Sequence, residues 1–207
     1  LEQLRVQGVR RVILSLHHMA DQLVKFGHDY AREHAIILRY VIEPRPLGTG
    51  GALRYAIREC GIEGPIFACN GDTYLTGGIA ELRAADPPAR HFTIGLVEVV
   101  NTERYGAVQY EPALGRISSF SEKTASAGRG SINCGLYRFQ STEISSINRD
   151  EFSLERDVFP ELLATRRLYG CLLAGEFMDI GVPGDYERFI RDRGNTNGLR
   201  GGPNANS

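Results

Sequence analysis

Residues 36–72 read IILRYVIEPRPLGTGGALRYAIRECGIEGPIFACNGD. Ile36 to Ile42 is a short, β-branched apolar run, the pattern of a buried strand. Glu43 to Ala52 is rich in Pro and Gly and reads as a connection. Gly50 to Cys60 has helical spacing and stops at Gly61, a residue type that closes helices. Pro65 to Cys69 is apolar again and breaks at Asn70-Gly71-Asp72, a turn signal. Strand, helix and strand at these intervals predict a crossover unit with parallel strands.

The pattern continues outward. Val9 to Leu16 (VRRVILSL) reads as a strand and Ala20 to Glu33 as a helix. Ile79 to Ala85 is a short helix before Pro87-Pro88. From position 91 the rhythm changes. Phe92–Val100, Tyr105–Tyr110, Arg116–Phe120 and Ile132–Phe139 read as strands with little room for helices between them. An antiparallel or mixed extension of the sheet is expected there. Phe152 to Thr165 returns to a helix with Ser153 as N-cap. Leu168–Leu173 and Glu176–Asp179 read as strands, and Pro183–Arg193 as a helix. Residues 194–207 are Gly/Asn-rich and read as a disordered tail behind a single domain, 1–193.

Composition narrows the function classes. The chain has 207 residues, 24 Lys+Arg against 25 Asp+Glu, and a net charge of -1. That balance speaks against a nucleic-acid binder. No apolar run approaches the roughly 18 residues of a membrane span. The basic residues are almost all Arg, with Lys25 and Lys123 as the lysines. Cys60, Cys69, Cys134 and Cys171 lack metal-ligand spacing and are expected as free thiols in a reducing, cytoplasmic compartment. The five histidines do not organise a site.

In open α/β sheets, ligands bind at the carboxyl ends of the strands. Three strand-end segments are unusual here. Glu43 to Ala52 joins strand to helix through Gly48, Gly50 and Gly51, where backbone can approach a flat or anionic ligand. Taken alone it is also a plain Gly-rich loop, and it is not a P-loop. Asp72 ends a strand, a usual place for an Mg²⁺ ligand, or for a turn residue. Asp179 interrupts an apolar strand, where a charge is costly unless paired or on a metal. Asp185 is expected as a solvated residue in a first helical turn. Glu122-Lys123 ends a further strand, and Asn133 and Gly135 lie inside an apolar one, a site or a bulge.

Six segments in this order resemble the nucleotidyltransferases that activate sugar 1-phosphates: EPRPLGTGGA at 43–52, NGD at 70–72, RYGAV at 104–108, FSEK at 120–123, INCGLY at 132–137 and FMDIGVPGDY at 177–186. FSLERD at 152–157, with the last of these, is most similar to D-glycero-D-manno-heptose 1-phosphate guanylyltransferases, and mannose-1-phosphate guanylyltransferases come next. The resemblance implies a Rossmann-like, GT-A-like three-layer α/β sandwich with a mixed sheet and a mainly parallel core. It also implies roles. Asp72 and Asp179 hold Mg²⁺ as cofactor. Leu47, Gly48, Thr49, Gly50 and Gly51 cradle base and ribose, beside Asn70 and Gly71. Tyr105, Gly106, Glu122, Asn133 and Gly135 meet the sugar, and Lys123 meets its phosphate.

Glu43 allows an argument about the base. Guanine shows two adjacent donors, and an ionised carboxylate is acceptor-only and can take both. Uracil and thymine show one donor beside an acceptor, so the reading favours GTP over UTP. A solvated loop acid is the plainer alternative. The expected reaction is in-line attack by a sugar 1-phosphate on the α-phosphorus of the NTP, with pyrophosphate released. A heptose 1-phosphate is the favoured acceptor. Mannose 1-phosphate or a UTP-using reaction are alternatives, as are a GT-A glycosyltransferase and a non-catalytic nucleotide-sugar-binding subunit. A homo-oligomer is compatible with all of these. Leu1 opens in mid-helix pattern, and the resemblance implies a sheet lacking its first strand and signature glycine loop. These 207 residues are therefore expected to turn over negligibly alone.

Overall fold

Phe92 to Val97 are all buried, on both faces of the strand they form, and the rest of the molecule is layered about them. A computed structural model describes residues 1–85, 91–120 and 128–197. The first half contains α1 (Glu2–Val6), β1 (Arg11–Leu16), α2 (Ala20–His34), β2 (Ile37–Ile42), α3 (Gly48–Cys60), β3 (Pro65–Cys69), β4 (Thr73–Leu75) and α4 (Ile79–Ala84). The second contains β5 (Phe92–Val99), β6 (Val108–Glu111), β7 (Arg116–Phe120), β8 (Gly130–Gln140) and α5 (Ser141–Ser145). A π-helical turn (Leu154–Val158), α6 (Phe159–Ala164), β9 (Leu168–Leu172), β10 (Phe177–Asp179) and α7 (Pro183–Asn197) follow.

Six strands form one sheet in the order β3-β8-β5-β9-β7-β6. Neighbours are antiparallel except β5 and β9. β1 and β2 form a separate parallel pair, and β4 and β10 an antiparallel one. Because side chains alternate along a strand, β5 feeds two cores. Phe92, Ile94 and Leu96 join Tyr137 and Phe139 of β8, Ile57 of α3, Ile144 of α5 and Phe159 of α6. Val97 joins Ile132, Cys134 and Leu136 of β8 with Ile79 and Leu82 of α4, and Leu4 of α1 packs on them. The result is the expected mixed α/β sandwich with helices on both faces.

Several local expectations change. β3 does not join β2 in a parallel pair; it takes β8 as its antiparallel, hydrogen-bonded neighbour. Among the described strands, β1 pairs only with β2 and β3 only with β8. Their apolar central residues are accordingly half-buried. β6 begins at Val108, not at Tyr105, because the Tyr105 and Gly106 N–H groups both donate to the Thr102 carbonyl at 3.0 Å in a turn. Gly106 has φ +77 there, a region glycine enters without penalty. The expected helix from Phe152 opens as the π-helical turn, with Ser153 Oγ accepting from Arg156 N–H as predicted for the N-cap. β4 and α5 are too short to have been read from periodicity. α7 continues to Asn197, which corrects the irregular reading for residues 194–197; extending a formed helix is easier than starting one.

Candidate active site

Two carboxylates meet beside the main sheet. β10 runs against β4 with Asp179 opposite Thr73, and Ile180 N–H donates to the Asp72 carbonyl at 2.8 Å. That register sets Asp72 and Asp179 side by side. Gly181 N–H donates to Asp179 Oδ1 at 3.0 Å. A Cβ on Gly181 would lie 2.7 Å from Asp72 Oδ2 and 3.2 Å from Asp179 Oδ1. The two oxygens therefore flank one small gap, open because residue 181 has no side chain. Like charges at this separation favour a shared cation. A hard divalent ion such as Mg²⁺ suits the donor set, since it takes one or two carboxylates and draws its other ligands from phosphates and water. No group of three or more His, Cys, Asp or Glu suited to a metal occurs among the described residues.

Asp185 is not the solvated residue expected from its helix position. Its side chain is 13% exposed, bonded to Arg104 Nη1 and 3.1 Å from Arg188 Nη2. Tyr105 lies alongside, its ring edge-on to Phe177 at 5.6 Å. Burial pushes the Tyr105 hydroxyl above its ordinary pKa.

The glycine segment is closed by its own chain. Gly50 and Gly51 N–H both donate to the Phe152 carbonyl, at 3.0 and 3.1 Å, and Phe152 N–H donates to the Leu47 carbonyl. Those two amides, expected at a nucleotide, are hydrogen-bonded within the chain. The cause is close packing: a Cβ on Gly50 would lie 2.2 Å from the Phe152 ring, and one on Gly51 2.3 Å from the Asp150 carbonyl oxygen. Gly48, at φ +75, is held 2.7 Å from the Phe152 carbonyl oxygen by the same measure. Thr49 Oγ1 donates to Glu155 Oε2 and accepts from Leu154 N–H, each at 2.9 Å.

From Glu155 a polar chain crosses to the sheet. Ser153 Oγ donates to Glu155 Oε2 at 2.7 Å, and the Tyr137 hydroxyl reaches Glu155 Oε1 at 3.5 Å. Burial pushes the Tyr137 hydroxyl well above its ordinary pKa, so it remains a donor. It accepts from Asn133 Nδ2 at 3.1 Å, and Asn133 Oδ1 accepts from Gly135 N–H at 2.9 Å. Here β8 bulges: its register against β5 jumps between Ile94 and Leu96, and Gly135 has φ +75. Bulge and candidate site are thus the same feature. Asn70 N–H donates to the Gly135 carbonyl at 2.9 Å, and the Asn70 amide lies where a Cβ of residue 135 would go. Asn70 and Gly71 lead directly to Asp72, so the line runs from Thr49 to the carboxylate pair.

Glu43 stands at the end of β2. Its Oε1 accepts from Ser15 Oγ at 3.1 Å and its Oε2 from Leu47 N–H at 3.3 Å, and the His17 ring meets the Glu43 carbonyl at 3.0 Å. The carboxylate pins the loop, and each oxygen retains a further lone pair. Glu122 and Lys123 lie outside the described residues.

Comparison with known proteins gives this geometry a family. The sequence profile described as nucleotidyl transferase matches residues 1–194. The chain belongs to the nucleotidyl transferase family. Among solved members, HddC from Yersinia pseudotuberculosis is 30% identical with a TM-score of 0.79, covering 93% of this chain and 82% of that one; it is also known complexed with GMP-PN. Mannose-1-phosphate guanylyltransferase catalytic subunit beta of Xenopus tropicalis is 33% identical, over 90% of this chain and 52% of its own. Mannose-1-phosphate guanylyltransferase 1 of Arabidopsis thaliana is 30% identical, over 92% and 54%. The chain thus spans about half the length of these curated relatives. No helix among the described residues is long and apolar enough to cross a membrane.

Reading the nucleotidyl transferase site from sequence missed Phe152, Glu155, Tyr137, Gly181, Arg104 and Asp185. Three signals were present. FSLERD holds Phe152 and Glu155, INCGLY ends on Tyr137, and Gly181 follows Asp179 at the spacing of a tight turn.

Proposed function

We propose that the protein carrying this chain transfers a guanylyl group from GTP to a sugar 1-phosphate, giving a GDP-sugar and pyrophosphate. The observation that carries the reading is the convergence of Asp72 and Asp179 on the gap at Gly181. It is supported by similarity to guanylyltransferases and to HddC, which is known with GMP-PN. Asp72 and Asp179 are the proposed Mg²⁺ ligands, and the ion when bound supplies positive charge at phosphate oxygens. The chain's own residues then position the reactants. Glu43 takes the two donors of guanine through its remaining lone pairs. Tyr105 and Gly106 present the turn that meets the sugar, and Asn133 faces it from the bulge. Lys123, in the proposal, meets the sugar phosphate as a point charge.

A heptose 1-phosphate is the first proposed acceptor, on the strength of FSLERD at 152–157 and FMDIGVPGDY at 177–186, and mannose 1-phosphate the second, on the strength of the curated relatives. Pyrophosphate release by the full-length protein, measured with both acceptors and with GTP against UTP, tests the reading. Turnover with GTP and one of these sugars is expected. Glycosyl transfer from a finished nucleotide sugar instead would replace the reading. Glu43→Gln is expected to lower the GTP/UTP ratio of kcat/KM, and an unchanged ratio would remove Glu43 from base selection.

A further inference from the structure

Arg104 lies against the carboxylate pair from outside. Its Nη1 bonds to Asp185, its Nη2 lies 3.5 Å from Asp179 Oδ2, and its guanidinium carbon is 5.3 Å from the centre of the Tyr105 ring. The two oxygens of Asp179 are therefore divided. Oδ1 accepts from Gly181 N–H and faces the gap shared with Asp72. Oδ2 faces Arg104. Asp185 is held in turn by Arg188.

We propose that Arg104 is an internal counter-ion of the Asp72–Asp179 pair, whose charge opposes a divalent cation and sets the affinity of the site. The proposal rests on reading that pair as the cation site. A guanidinium is charged at every accessible pH, so its effect on Asp179 is constant. At 3.5 Å it removes part of the negative potential that draws a cation in. Its side chain is 47% exposed, so the effect is moderate and weakens as salt screens it. Arg104 also precedes Tyr105 and Gly106 directly, so the counter-ion and the proposed sugar turn share one backbone.

The test is Mn²⁺ binding to the full-length protein, followed by electron paramagnetic resonance without nucleotide or sugar, with each variant's fold checked by circular dichroism. Arg104→Gln is expected to bind Mn²⁺ about three- to ten-fold more tightly at low salt. That gain should shrink in about 0.5 M NaCl, where charges are screened over a few ångströms. Arg104→Lys keeps the charge and is expected within about two-fold of the parent. Unchanged or weaker binding by Arg104→Gln overturns the counter-ion role, as does equal tightening by Arg104→Lys. Asp72→Asn separates the two claims. If it abolishes Mn²⁺ binding while Arg104→Gln changes nothing, the counter-ion alone fails. If Asp72→Asn leaves Mn²⁺ binding intact, the cation site itself fails.

Discussion

The two halves of the candidate site are built on opposite plans. The glycine segment at 47–51 is shut against residues 150–155 by three backbone hydrogen bonds and by contacts that admit no Cβ. The carboxylate corner is partly exposed, charged and hung on two three-residue strands, β4 and β10. One half is a packed joint whose residues are fixed by sterics. The other is an electrostatic arrangement that tolerates change in shape but not in charge. Substitutions in the two places should therefore be felt in different measurements.

The largest expected effect is at the open corner. Asp72→Asn or Asp179→Asn should lower kcat of the full-length protein at least about 100-fold, the scale on which charge stabilisation acts in such reactions. For Asp72→Asn the urea midpoint should hold or rise, because a like charge beside Asp179 is removed. A large loss of stability with retained turnover would reverse the comparison. Next comes Gly50→Ala, whose methyl would sit 2.2 Å from the Phe152 ring. Overpacking of this kind costs about 1–3 kcal/mol, more than the helix propensity Ala brings. Urea denaturation should show that loss, and an unchanged midpoint would mean that the joint is soft. Thr49→Val removes an acceptor for Leu154 N–H and a donor to Glu155. About 1–2 kcal/mol should go by the same measurement, since a backbone donor is left unpaired.

The smallest effect is in the pH dependence. The Asp157 carboxyl is held below its ordinary pKa, first by Ser153 N–H, which donates to it at 2.7 Å, and then by Arg149. A depressed carboxyl stabilises the fold above its unfolded pKa, and this contribution is lost as pH falls through the folded value. Stability should thus decline on the acid side of the carboxylate range, and Asp157→Asn should flatten that limb of a denaturation-against-pH profile.

Much of the fold was legible because its signals are local. The periods of 37–42, 48–60 and 65–69 are set by their own residues, and Gly61 ends α3 at φ +60 as its identity predicts. Pairing was less legible. PIFAC shows an apolar strand, but nothing in five residues says that β8 lies beside it. The site divides in the same way. Asp72 and Asp179 announce themselves as charges at strand ends, yet only the β4–β10 register brings them together. The glycines at 48–51 were read as making room for a ligand. Gly48 and Gly50 also make room for Phe152 and Gly51 for the Asp150 carbonyl, about a hundred positions away, and no composition rule reveals which partner fills such a space.

The Phe152 carbonyl has a consequence for the charge inventory. Its oxygen occupies the positive end of α3, which is a place where a helix can receive a phosphate. Guanidiniums of the candidate site are committed as well: Arg45 to Glu151, Arg54 to Asp150 and, at the carboxylate corner, Arg104 to Asp185. These three guanidiniums therefore offer an anion little uncommitted charge. On the proposed function, divalent ions travelling with the nucleotide are one source of the positive charge its phosphates need.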